Sequence, residues 1–144
     1  MKVSIASDHA GFEEKELLRA YLAELGHEVI DRGPDSDDRV DYPDFAALVA
    51  ADIVEGIADR GVLVCGTGIG MAIAANKVDG IRAANVITPE FAQLAREHND
   101  ANVVTVSGRF VSHEVNSEIV RMFLETEFAG GRHEGRVAKI MALQ

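Results

Sequence analysis

One cysteine, Cys65, ends a short apolar run, Gly61-Val62-Leu63-Val64-Cys65, and is followed at once by Gly66-Thr67-Gly68-Ile69-Gly70. A glycine-rich turn opening into a helix presents successive backbone N–H groups, a ready cradle for an anion. A helix N-terminus also favours the anionic form of a thiol set against it. Such a thiolate could serve as a base or as a nucleophile, and spacing does not decide which. The pattern is G-x-G-x-G rather than the dinucleotide G-x-G-x-x-G, and no Gly-Lys-Ser/Thr makes it a P-loop. The plainer alternatives are a tight turn that needs glycine's backbone freedom and a cysteine that is a small buried hydrophobe.

Two of the five histidines are placed for chemistry. His9 lies in the turn Ser7-Asp8-His9-Ala10-Gly11 near the N-terminus, and His98 precedes Asn99 at the end of a helical pattern. A cation is favoured at a helix C-terminus, and an imidazole there can transfer protons. His27, His113 and His133 sit among charged or helix-flanking residues and are expected to be solvated. There is no H-E-x-x-H, no C-x-x-C and no His pair at i, i+4, so no metal site is expected. Arg132 and Arg136 are four apart, with Lys139 on nearly the same helical face. That stripe is either a solvated face or a phosphate clamp, since guanidinium matches phosphate oxygens bidentately. Arg109 could supplement it.

The elements that must hold these groups are legible from periodicity. Residues 3–6 read as a strand, followed by a helix with Leu17, Leu18, Tyr21, Leu22 and Leu25 on one face and Gly26 as its stop. A second strand covers 27–31. An acidic loop, 33–44, precedes a helix opened by Pro43 and carrying Phe45, Leu48, Val49 and Ile53 to about Gly56. The run 61–65 is a buried strand, and a helix from Met71 to Lys77 follows the glycine turn. Residues 82–87 form a fourth strand. Thr88-Pro89-Glu90 caps a helix that ends near His98-Asn99. Residues 103–106 form a fifth strand, Ser112 caps a helix with Val115, Ile119, Met122 and Phe123 inward, and a last helix spans 131–142. Strands separated by helices imply right-handed crossovers and a parallel sheet covered on both faces. The expected fold is therefore α/β: a three-layer αβα sandwich on a doubly wound, five-stranded, Rossmann-like sheet. Ligands of such sheets bind beyond the carboxyl ends of the strands, where Ser7-Asp8-His9, Cys65-Gly66-Thr67 and Gly108-Arg109 all fall.

Composition narrows the function classes. The chain has 144 residues, 14 Lys+Arg against 24 Asp+Glu and a net charge of −10, which disfavours a general nucleic-acid partner. With 47% hydrophobic and 26% charged residues it is an ordinary globular composition, expected to form one domain over 1–144. No apolar run approaches the ~20 residues that span a bilayer, and residues 1–7 are too short for a signal peptide. A single cysteine suits a reducing cytoplasm.

Ser7-Asp8-His9-Ala10-Gly11, Cys65 to Gly70 with Ala74-Ala75-Asn76-Lys77, Glu97-His98-Asn99, and Arg132 with Arg136 occur together and in order. In that combination the chain resembles the ribose-5-phosphate isomerase type B family, which also holds allose-6-phosphate isomerases and galactose-6-phosphate isomerase subunits. The resemblance implies an aldose–ketose isomerase without cofactor or metal, working on an open-chain sugar phosphate through a cis-enediolate. Cys65 matches the family's proton-shuttling cysteine. Some members use a glutamate just after the glycine loop, where this chain has Met71. The amides of Gly66, Thr67, Gly68, Ile69 and Gly70 would stabilise the enediolate oxygen. His98, assisted by Thr67, matches the group that opens the furanose ring. Asp8 and Asn99 resemble residues that hold sugar hydroxyls, and Tyr42 one that lines the pocket. His9, Arg109, Arg132 and Arg136 resemble the phosphate-binding set. Family members assemble at least as dimers, with each active site built from two subunits and the last helix contributing to it, so a homodimer or homotetramer is expected. Isomerases of allose 6-phosphate, galactose 6-phosphate or a tetrose 4-phosphate, and a sugar-phosphate-binding regulator without turnover, remain alternatives. A thiol redox protein would need a second cysteine. A subunit that has lost its base is disfavoured because Cys65, Thr67 and His98 are all present.

Overall fold

Each of the five apolar runs becomes a strand of one parallel sheet. The computed structural model describes residues 1–144. In chain order the elements are β1 (Lys2–Ser7), α1 (Phe12–Glu24), β2 (Glu28–Asp31), α2 (Tyr42–Val54), β3 (Arg60–Cys65), α3 (Ile69–Ala75), β4 (Ala83–Asn85), α4 (Pro89–Asn99), β5 (Val103–Ser107), α5 (His113–Glu125) and α6 (Arg132–Met141). The strand order is β2-β1-β3-β5-β4, with every pairing parallel. Alternating side chains divide the core in two. Val3, Ile5, Val62, Val64, Val104 and Val106 face α1, α4 and α5. Ala6, Leu63, Cys65 and Val103 face α2 and α3. This is the expected three-layer sandwich. The chain leaves β1 toward β2 on one side and returns to β3 on the other, so the crevice where the strand order reverses lies between the carboxyl ends of β1 and β3.

Several local expectations change. The fourth strand is only three residues long and forms a sheet edge, with Ile87 exposed beyond it. Its free edge is closed by a side chain. Asn76 Nδ2 donates to the Ala83 carbonyl at 3.0 Å, and the Ala83 amide donates to Asn76 Oδ1 at 2.7 Å. One amide side chain thus stands in for a further strand at the point where unpaired groups invite pairing with another chain. On α1, Leu18 and Leu22 are buried but Leu17 and Leu25 are exposed, and the sheet-facing stripe includes the fully buried Lys15. Its amine donates to Asp31 (3.0 Å) and to the Pro34 carbonyl (2.9 Å), which satisfies the buried charge and ties the following acidic loop to the sheet. On α5, Val115 is exposed and Asn116 is buried instead, donating to the Ser107 carbonyl at 2.9 Å.

Two histidines expected in solvent are engaged. The His27 ring lies 3.3 Å from the N-terminal amine, and His113 Nδ1 is 3.0 Å from Glu14, which is itself buried. The charged neighbours that suggested solvation are their partners. At the start of α1, Gly11 packs so closely that a Cβ there would sit 2.6 Å from the Val64 carbonyl oxygen. This contact lets the first helix begin directly above the crevice.

Candidate active site

The carboxyl edge of the sheet gathers most of the expected residues. Cys65, the last residue of β3, is 4% exposed, and its Sγ accepts a hydrogen bond from the Gly68 amide at 3.1 Å. Gly68 has φ +83°, a left-handed conformation that turns its N–H back toward the thiol. It also lies so near β5 that a Cβ would be 3.0 Å from the Val106 carbonyl oxygen. The Thr67 hydroxyl accepts from the Ile69 amide at 3.1 Å. The first bond within α3 runs from Ala72 to Gly68, so the helix itself does not use the amides of Gly70 and Met71. Two of the loop's five amides are therefore taken locally, and the anion-facing role falls on fewer donors than the glycine pattern alone suggested.

Residues that sequence reasoning passed over pin this loop. Thr105 Oγ1 donates to the Gly68 carbonyl at 2.8 Å, Ser107 Oγ to the Gly66 carbonyl at 2.7 Å, and Asn85 Nδ2 to the Thr67 carbonyl at 3.3 Å. The amides of Gly108 and Arg109 donate to the carbonyls of Cys65 and Gly66 at 2.9 and 3.1 Å. The available signal was two hydroxyl residues in the otherwise apolar strand Val103-Val104-Thr105-Val106-Ser107.

Around this loop stand the other residues of the crevice. Asp8 is buried, and its Oδ1 accepts from the Gly11 amide at 3.0 Å. His9 Nδ1 meets the backbone of Val40 on the acidic loop, 3.2 Å from its oxygen and 3.3 Å from its nitrogen. Tyr42 lies over Gly70, where a Cβ would be 2.8 Å from the ring. The Arg109 side chain runs beside Gly66, with Nη1 3.5 Å from the position of a Cβ there. Asp8, His9, Tyr42, Cys65, Gly66–Gly70 and Arg109 thus form one cluster.

His98, Asn99, Arg132 and Arg136 do not join it. Helix α4 starts beyond the carboxyl end of β4 and runs antiparallel to the strands, so its last residues lie at the amino end of β5. Gly61 pairs with Val103, and Cys65 with Ser107. The two ends are therefore separated by four strand steps, roughly 13 Å. At this opposite edge His98 is half-buried and its ring stacks on His133, with centroids 4.4 Å apart and an interplanar angle of 15°. Arg132 and Arg136 are exposed beside it at the start of α6. His133, expected in solvent, is only 9% exposed, because α6 lays it against α4. No group of three His, Cys, Asp or Glu side chains converges anywhere as a metal-ligating cluster.

Burial, followed by the positive neighbours His98, Arg132 and Arg136, holds the His133 imidazole below its ordinary range against a weaker opposing pull from Glu97. The folded chain therefore binds fewer protons at this site than the unfolded chain. Its contribution to stability is lost as the pH falls below the unfolded value of about 6.5. Burial and the N-terminal charge shift His27 the same way. Urea titrations at pH 7.5 and 5.5 should show a loss of stability on acidification that shrinks in His133→Phe. An unchanged pH dependence in that variant would remove His133 as its source.

An open α/β fold with a thiol, an amide-rich loop and two sets of cations can serve many chemistries, and comparison with known proteins specifies the family. The family model described as Ribose/Galactose Isomerase matches residues 3–140. The ribose-5-phosphate isomerase B of Escherichia coli is 46% identical over 143 residues, covering 99% of this chain and 96% of its own. The structure of the Clostridium thermocellum ribose-5-phosphate isomerase B superposes with a TM-score of 0.98 at 46% identity, covering 99% of this chain and 97% of that one. That of the Mycoplasma genitalium enzyme with bound ribulose 5-phosphate gives 0.94 at 44%, covering 99% and 95%. The chain belongs to the ribose/galactose isomerase family.

Proposed function

We propose that this chain is an aldose–ketose isomerase that interconverts ribose 5-phosphate and ribulose 5-phosphate through a cis-enediolate, with Cys65 as the base. The observation that carries the reading is the Cys65 thiol, seated on the Gly68 amide at the mouth of the crevice in a chain of this family. The relative with ribulose 5-phosphate bound supports the five-carbon substrate. With the open-chain sugar in the crevice, Cys65 removes the C2 proton and the electron pair passes toward the C1 carbonyl oxygen. The amides of Gly70 and Met71 face the oxyanion; the C2 hydroxyl proton passes to that C1 oxygen, and the thiol returns its proton to C1 as the C2 carbonyl forms. Met71 is fully buried and offers no competing base. Asp8 and Tyr42 line the sugar.

The remaining groups come from a second copy of the chain. A two-fold axis that lays the carboxyl edge of one copy on the amino edge of the other builds two complete sites. Each then joins Cys65, Thr67, His9 and Arg109 of one copy to His98, Asn99, Arg132 and Arg136 of the other. Uncovered apolar side chains support this contact. Ile69, Ile73, Ile87 and Phe91 are exposed along the carboxyl edge, and Phe110 is 77% exposed at the rim of a cleft of about 500 Å³. His98 with Thr67 opens the furanose ring, and the arginines hold the phosphate. The setting is the cytoplasm. No helix is long and apolar enough to cross a membrane.

Parallel assays with ribose 5-phosphate, allose 6-phosphate, galactose 6-phosphate and a tetrose 4-phosphate test the assignment. The highest kcat/KM is expected for ribose 5-phosphate. Binding of all four without turnover would make the chain a sugar-phosphate regulator. Charge-assisted hydrogen bonds contribute about 1.5–3 kcal/mol each. Arg132→Ala and Arg136→Ala should therefore each weaken competitive inhibition by inorganic phosphate roughly 10- to 150-fold. If inhibition is unchanged in both, the anion is held by Arg109, His9 and the glycine loop alone.

A further inference from the structure

The end of α4 is held by a carboxylate between two guanidinium groups. Asp100 follows His98 and Asn99 directly, and at φ +46° it is the one non-glycine residue with positive φ. Its Oδ1 accepts from Arg96 Nη1 at 2.8 Å, and its Oδ2 from Arg82 Nη2 at 3.3 Å. The same two arginines take the backbone carbonyls of this turn. Arg82 Nε donates to Asn99 O at 3.1 Å and Arg82 Nη2 to Asp100 O at 2.7 Å, while Arg96 Nη1 donates to Ala101 O at 2.6 Å. Each arginine also reaches a neighbouring helix. Arg96, 2% exposed, donates to Thr126 O at the end of α5, and Arg82 Nη1 lies 3.2 Å from Met141 Sδ on α6.

The last turn of a helix has four carbonyls without intrahelical partners and is where helices fray. Here the carbonyls of Arg96 and Glu97 take the amides of Asp100 and Ala129, those of Asn99, Asp100 and Ala101 meet guanidinium groups, and the turn is locked to α5 and α6 together. A left-handed, non-glycine residue persists only where its surroundings over-determine it, and such residues cluster at functional sites. An ordinary helix stop would need only Gly or Asn at this position. The charged clamp exceeds that need.

We propose that Asp100, gripped by Arg82 and Arg96, is a positioning residue that sets the His98 imidazole for proton transfer to the sugar. The proposal rests on the reading that His98 acts on the substrate, and it adds the device that aims it. His133 stacks on one face of the ring, and the clamp fixes the backbone that carries it.

The test uses the full chain with Asp100→Asn and Asp100→Gly. Both residues tolerate positive φ, so both variants are expected to fold, with a lowered Tm because the buried Arg96 loses its carboxylate partner, and rates are compared well below that Tm. Each should lower kcat/KM for ribose 5-phosphate between about ten- and a hundredfold, the range for a misaimed catalytic group. On 4-deoxyribose 5-phosphate, which lacks the hydroxyl needed to close a furanose ring, the loss should match that of His98→Asn on the same substrate. In the combined His98→Asn, Asp100→Asn variant, no further loss beyond His98→Asn alone is expected. Full activity of Asp100→Gly, or losses that multiply in the double variant, would overturn the proposal. If His98→Asn impairs both substrates equally, the ring-opening role fails, but the comparison of single and double variants still decides whether Asp100 acts through His98.

Discussion

Replacing Cys65 by alanine should leave a protein that folds and binds sugar phosphate but turns over about 10²–10⁴-fold more slowly, the contribution of a positioned general base. The thiol is 4% exposed, and its one hydrogen bond comes from Gly68 within the same loop, so deletion removes a small atom without uncoupling the sheet. Arg132 and Arg136, the proposed phosphate grip, lie at the opposite edge of the sheet, which separates the effects. Inhibition by inorganic phosphate should keep its strength while kcat collapses, the signature of an interaction made in the transition state only. Exchange of the C2 proton with deuterated solvent should disappear in parallel. Cys65→Ser should be nearly as slow, because a hydroxyl keeps the bond from Gly68 but is a much poorer base than a thiolate. Near-normal turnover in Cys65→Ala would move the base elsewhere, with the buried Asp8 a candidate in the same crevice.

The elements that carry the chemistry were readable because they obey strong local rules. A short apolar run bounded by glycines is a buried parallel strand, and Thr88 does cap α4, accepting from the Phe91 amide at 3.2 Å. The turn at Gly66–Gly70 needed glycine, as the φ of Gly68 shows. What escaped was long-range. Lys15 and Asn116 are polar residues whose burial depends on partners in other elements, Asp31 at the end of β2 and Pro34 beyond it for Lys15 and Ser107 at the end of β5 for Asn116. His133 looked solvated between Arg132 and Glu134, since nothing local places α6 against the end of α4. The order of β4 and β5 was likewise invisible, because a crossover helix can skip a position in the sheet as easily as not.

The separation of His98 from Cys65 was within reach of topology. In a β–α–β unit the helix returns the chain to the starting edge of the sheet, so a helix C-terminus and a strand C-terminus lie at opposite ends. Residues at the two kinds of terminus can share one pocket only if a second chain brings them together. That inference needs no side-chain detail, and it turns the scattered motifs into a statement about assembly.

Mixing two inactive variants tests that statement directly. Cys65→Ala removes the base from one edge, and the double variant Arg132→Ala, Arg136→Ala removes the phosphate grip from the other. In the proposed assembly each homodimer carries the same defect in both of its sites. In a heterodimer one site collects both defects, while the other takes Cys65 from one chain and both arginines from its mate and is intact. Random exchange makes half of the dimers mixed, and each mixed dimer has one working site of two, so activity should return to about a quarter of the parent's. Unfolding and refolding the mixture together should reach that level if subunit exchange is slow. The rise should follow the product of the two chain fractions, with its maximum at equal amounts. The same mixing with Cys65→Ala and Asp8→Ala, two defects at one edge, should restore nothing, because every site then contains at least one of them. No recovery in the first mixture would place the arginines and the thiol of a single chain in one pocket, against the four strand steps that separate the edges they occupy, and recovery in the control would put Cys65 and Asp8 of one chain in different sites.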